Sequence, residues 1–219
     1  MFIGHFGTGL AAKKLDKKIS LGTLFLAAQF IDLLCPVFLL LGIEHVKIEP
    51  GNTAFTPLDF VSYPYTHSFL GVLVWSVLFG FVYFLYKKNI KSSLLLAAIV
   101  MSHWILDLIT HRPDLPVLPG SDLKVGLGLW NSVILTIIIE GSIFAAGSYL
   151  YLSVTKSGSK KGRYGIWALL IFLGVIYFVN IFGSPPPSET AIAIAGLFMW
   201  LFVFWGYWID RNREALIQM

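Results

Sequence analysis

The chain has 219 residues, of which 57% are hydrophobic and only 13% charged, with a mean hydropathy of +0.77. A soluble domain of this size would need far more charge to cover that much apolar surface, so composition excludes the class and leaves an integral membrane protein. The formal net charge of +4 is no sign of nucleic-acid binding, since lysine and arginine in membrane proteins report orientation, and the single cysteine, Cys35, excludes an internal disulfide.

In chain order, residues 1–19 start uncharged, include His5, and end in Lys13, Lys14, Lys17 and Lys18. No charged segment precedes a short apolar stretch with a cleavage site, so no removable signal peptide is expected. The first long apolar run is about 20–43, interrupted by Gln29, Asp32 and Pro36, and a polar loop of about 44–62 follows. Further apolar runs cover about 66–86, 92–110, 125–152, 165–184 and 191–209. Each is long enough to cross a hydrocarbon core as a helix. Residues 156–163 read as a flexible basic loop, and Pro185, Pro186 and Pro187 mark a non-helical turn. The expectation is an all-α polytopic membrane helix bundle, one domain over residues 1–219, with six transmembrane spans and an N-terminal re-entrant half-helix.

If the N-terminus is inside, thirteen basic residues fall on inner segments and three, Lys47, Arg112 and Lys124, on outer ones. This asymmetry predicts a plasma (inner) membrane protein with both termini cytoplasmic.

Polar residues within the apolar runs carry the functional signal. His103, Asp107 and His111 recur at i, i+4 and i+8, so a helix stacks them on one face. Counted from the inner ends of their spans at 1.5 Å per residue, Asp32, His103 and Glu140 all lie roughly 17–18 Å deep. Asp107, His111 and His67 stand above them toward the outer side. His5 reaches this level if residues 5–15 fold back into the bilayer as a half-helix, whereas an amphipathic surface helix leaves it among headgroups. Ionisable groups at such depth are costly and usually functional, and imidazoles with carboxylates suit a divalent transition metal. A polar seam between helices is the other reading of the same residues. Gln29, Thr110, Trp130 and Asn131 are candidate outer partners of the ligands, His45 reads as solvated and Cys35 as packed. Thr66 or Ser68 caps the second long span near His67, and a helix start of that kind also attracts phosphate.

His5, Asp32, Thr66-His67-Ser68 and the His-x-x-x-Asp of His103 and Asp107 occur in an order that resembles the membrane-bound metal-dependent hydrolases of the LexA-regulated inner-membrane group. That group looks distantly similar to zinc-dependent phospholipase C and fungal single-strand nucleases. The resemblance covers roughly residues 1–140. It implies metal ions, zinc above all, held by His5, Asp32, His67, His103 and Asp107, with a bound water as nucleophile and a phosphoester substrate. Two departures stand out. Ile31-Asp32-Leu33 offers one carboxylate where such proteins often have Asp-x-Asp, and Tyr63-Pro64-Tyr65 replaces the His-Arg-Gly before Thr-His-Ser. His111, four residues beyond Asp107, offers a replacement ligand.

The expected function is a metal-dependent hydrolase acting on an ester or phosphoester, lipid-linked in keeping with a site inside the bilayer. Asp107 or Glu140 is the expected acid–base partner. Membrane lipids are the expected partners, and nucleic acid is not. A cation or proton-coupled transporter is the rival, and it lacks the repeated pair of broken helices common in transporters.

Overall fold

The computed structural model describes residues 1–216. A half-helix α1 (Ile3–Ala12) opens the chain, and after a basic turn α2 (Leu21–Ala28) and α3 (Phe30–Leu40) follow, bent by 55° at Gln29. A hairpin of β1 (His45–Ile48) and β2 (Leu58–Ser62) leads into α4 (Phe69–Lys87) and α5 (Ile90–Thr110). The ribbon of β3 (Leu115–Pro116) and β4 (Lys124–Val125) and a 3-10 turn at Leu129–Asn131 precede α6 (Val133–Ser153). Then come β5 (Thr155–Lys156), α7 (Lys160–Phe182), α8 (Glu189–Leu197), α9 (Trp200–Asp210) and β6 (Glu214–Ala215), which pairs with β5.

Among the described residues, α4, α5, α6, α7 and the α8–α9 pair are long and apolar enough to span a membrane, and the bent α2–α3 pair makes a sixth. The bundle is thus helical and polytopic, as composition predicts. Val74, Val77 and Phe81 on α4, and Ile171, Val175 and Phe178 on α7, face outward in a belt that lipid would cover.

The half-helix α1 does not lie on a surface. Phe6 and Leu10 are fully buried, packed with Phe25 of α2, Leu169 of α7 and Phe202 of α9. Glycine lets its backbone meet α6: a Cβ on Gly7 would stand 2.7 Å from the Ile143 carbonyl oxygen, and one on Gly147 would overlap the Gly7 carbonyl. Small residues are the usual means of close helix approach in membranes. A second core of Leu24, Ala27, Ala28, Leu96, Ile99 and Val100 joins α2 to α5. Together these cores suspend α1 in the middle of the bundle.

At one end of the bundle the basic segments meet. Lys13 Nζ donates to Asp210 Oδ2 (2.9 Å) and to the Ile19 carbonyl (2.7 Å). The Leu21 amide donates to the same Asp210 oxygen (2.6 Å), Tyr151 Oη donates to its other oxygen (3.2 Å), and Arg213 reaches Thr155. This ties the α1–α2 turn, the end of α6 and the end of α9 into one knot.

The structure departs from the sequence expectation in four places. The expected flexible loop of 156–163 is in part ordered, since Thr155–Lys156 form β5 and α7 already starts at Lys160, capped by Ser159. The polar loop of 44–62 contains the β1–β2 hairpin. The second long span starts at Phe69 rather than about 66, and of the two expected caps it is Ser68 whose Oγ accepts from the Gly71 amide (3.0 Å). The fourth span starts at Val133 rather than 125, because Lys124–Val125 pair in a ribbon and Gly128 takes the left-handed conformation (φ 72°), which no helix continues.

Candidate metal centre

Helix α5 supplies the scaffold of the site. Its i, i+4 spacing puts His103 and Asp107 one above the other, with His103 Nε2 3.1 Å from Asp107 Oδ2. Half-helix α1 brings His5, whose Nε2 lies 3.1 Å from Asp107 Oδ1 and whose ring stacks on His103 with centroids 3.7 Å apart. The Met1 nitrogen donates to the same Asp107 oxygen (2.6 Å). From α3 comes Asp32, with Oδ1 3.5 Å from His103 Nε2 and 3.4 Å from His67 Nε2. His67, just before α4, also stands 3.9 Å from Asp107 Oδ2. Five side chains from four parts of the chain therefore converge. Two groups of three, His5–His103–Asp107 and Asp32–His67–His103, each hold their ligand atoms within 4.8 Å of one another. Donor atoms around a tetrahedral zinc lie ~3.3 Å apart, so the distances suit such an ion.

The backbone decides which imidazole nitrogens face the cluster. At the end of α2 the Ala28 carbonyl lies where a helix lacks its own donors, and it accepts from His103 Nδ1 (3.0 Å). His103 Nε2 is left without a hydrogen-bond partner while it faces oxygens of Asp32 and Asp107. Two buried carboxylates gathered around an imidazole nitrogen need positive charge among them, and buried charges persist when paired or bound to metal. The residues therefore fit a divalent cation. All are buried except Asp32, whose side chain is 26% exposed and marks the way in.

Glu140 and His111 stand outside both groups. Glu140 Oε2 accepts from the amides of Phe2 (2.9 Å) and Gly4 (3.4 Å), taking the place of the side-chain cap that α1 lacks. Its Oε1 is buried and unpartnered. His111 follows the last turn of α5. Its Nδ1 donates to Asp114 Oδ1 (3.0 Å), and its ring lies 4.2 Å from that of Trp130. The structure thus assigns the expected replacement ligand to a separate carboxylate–imidazole pair. Tyr63 Oη also donates to Asp114 Oδ1 (3.0 Å), and Arg112 joins Asp114 to Asp59 and Asn52. Burial raises the Asp114 carboxyl, but His111, Tyr63 and Arg112 outweigh it and hold the group below its ordinary range. Burial and the neighbouring Asp114 push the Tyr63 phenol well above its ordinary value, so it stays a donor.

Of the candidate outer partners, Gln29 sits at the helix break beside Phe2, with Nε2 3.5 Å from its carbonyl, while Trp130 packs on His111. His45 is largely exposed beside Glu189, and Cys35 is buried and free. Sequence reading missed Glu44, a fully buried acid that accepts from Thr66 Oγ1 (2.6 Å). Its place at the start of a polar loop reads as solvated, and only its distance from Thr66 reveals otherwise.

The family described as YdjM inner membrane protein matches residues 2–186 of the chain, a stretch that holds every member of the cluster. No curated protein and no solved structure matches it.

Proposed function

We propose that this chain, which belongs to the YdjM inner membrane protein family, is a metal-dependent hydrolase cutting an ester or phosphoester bond, with a lipid-linked substrate. The observation that carries the reading is the set of imidazole nitrogens and carboxylate oxygens from four parts of the chain turned toward one another in a buried cluster. His5, His67, His103, Asp32 and Asp107 would hold the ion, with zinc the best match to the donor set. A bound divalent metal supplies Lewis acidity and brings the pKa of a water ligand toward neutrality. The chain does the rest. Asp107 spans the cluster, one oxygen toward His5 and the other toward His103. Asp32 is the exposed edge past which a substrate approaches. Glu140, whose Oε1 has no partner while Oε2 is held by α1, would serve as the acid–base group. Burial of the other ligands keeps bulk water out and strengthens each charge interaction.

A location inside the bilayer favours a substrate with a lipid tail. The gathering of the Lys13 turn, the β5–α7 junction and the Arg213 segment at one end supports the cytoplasmic side for both termini.

One observation favours a second reading. The α2–α3 break lies three residues before Asp32, and ion sites in transporters are often built at broken helices. Elemental analysis tests the common premise: purified protein should carry stoichiometric metal, and His103→Ala should lose it. Phospholipid and phosphoester hydrolysis by the loaded protein, compared with cation uptake in proteoliposomes, then separates the two. Metal-free wild type at saturating zinc would end both readings.

A further inference from the structure

We infer that Glu44 and Thr66 form a proton-ordered relay that fixes the tautomer of His67 and makes its Nε2 a metal ligand. The inference rests on the metal-centre reading above.

Glu44 is fully buried at the end of the first span, and its carboxylate has three donors. Oε1 accepts from the amides of Tyr65 (2.9 Å) and Thr66 (2.8 Å), and Oε2 accepts from Thr66 Oγ1 (2.6 Å). A threonine hydroxyl has one proton. Spent on Glu44, it leaves Oγ1 as an acceptor toward His67 Nδ1 at 2.7 Å. Nδ1 must then carry the imidazole proton and Nε2 the lone pair. That lone pair points at the cluster, 3.4 Å from Asp32 Oδ1. A hydrogen-bonded acid behind a ligating imidazole sets its orientation and raises its basicity. Here the acid acts through one hydroxyl. Both are positioning residues, since neither touches the ion.

The geometry makes Glu44→Gln a directional test. The two backbone amides require an oxygen at the Oε1 position, so the amide NH2 of glutamine must occupy the Oε2 position and face Thr66. It then donates to Thr66 Oγ1, the hydroxyl donates to His67 Nδ1, and the imidazole proton moves to Nε2, where it blocks coordination. The side chain keeps its shape while the relay runs backwards.

The experiment combines zinc titration against a competing chelator with nitrogen NMR of 15N-histidine-labelled protein. In wild type without metal, His67 should show a protonated Nδ1 and a bare Nε2. Glu44→Gln should exchange these signals and weaken zinc binding by roughly 10–100-fold. Thr66→Val should weaken it comparably, and Thr66→Ser should restore it. A wild-type His67 protonated at Nε2, or unchanged zinc affinity in both Glu44→Gln and Thr66→Val, overturns the relay. Absence of zinc binding by wild type overturns the metal centre instead, while the tautomer signals of the metal-free proteins still decide the relay.

Discussion

His111 and Asp114 show how one helical turn changes the task of a residue. Four residues before His111, Asp107 faces three imidazoles; past the end of α5, His111 meets a carboxylate of its own and the ring of Trp130. The Asp114 carboxyl is held below its ordinary value, so its contribution to stability has a definite sign. The folded state binds the proton less well than the unfolded state, whose carboxyl titrates near ~3.9. The contribution is therefore complete above that value and is lost as pH falls through the lower folded one. Thermal unfolding in detergent should show wild type losing its advantage over Asp114→Asn only below about pH 4. A difference that grows toward neutral pH would contradict the pairing. The Thr66-His67-Ser68 motif divides its contacts at the same scale: a hydroxyl on Glu44, an imidazole facing Asp32, and the cap of α4.

Two elements make the site possible, and both are irregular. The break between α2 and α3 frees the Ala28 carbonyl for His103 and sets Asp32 at the start of a new helix. Pro36 lies within α3, well beyond the bend, so the bend is set at Gln29 and not by proline. Half-helix α1 carries His5 to the cluster only because Gly7 and Gly147 let it touch α6. Gly7→Val should force the two backbones apart, with an overpacking cost of roughly 1–3 kcal/mol. The expected result is a lower unfolding temperature and a reduced metal content while the protein still reaches the membrane. Retention of full metal content in this variant would show that His5 is dispensable to the site.

For the whole molecule, the charge asymmetry and the contact pattern make the same statement. The basic turn after α1, the β5–β6 ribbon and the end of α9 form one face. The β1–β2 hairpin packs against the residues around Trp130 through Phe55 and Phe60. In a Cys35→Ala background, Ser159→Cys should react with a membrane-impermeant maleimide only after the inner side is exposed. Ser121→Cys should react from outside in intact cells. The reverse pattern would invert the proposed orientation.

The polytopic helical fold, the number of apolar spans and the presence of a buried His/Asp cluster were legible in the residues themselves. Apolar run length is set against a fixed hydrocarbon thickness, and a charged group at mid-span stands out against that background. Asp32 and His103, counted to a common level, do stand 3.5 Å apart, because rise per residue is constant in any helix. For Glu140 the contact with α1 was invisible, since a depth count says nothing about azimuth. His111 shares a helical stripe with Asp107, and only the chain beyond Thr110, turning away toward Asp114, removes it from the cluster. Glu44 had no signal, because a carboxylate in a polar loop looks solvated until Thr66 arrives beside it. Local periodicity thus determined which elements cross the membrane and which residues ride at depth. The direction each side chain faces, and the nitrogen each imidazole offers, came only from the packing of α1, the α2–α3 break and α5, because those depend on donors and acceptors far apart in the chain.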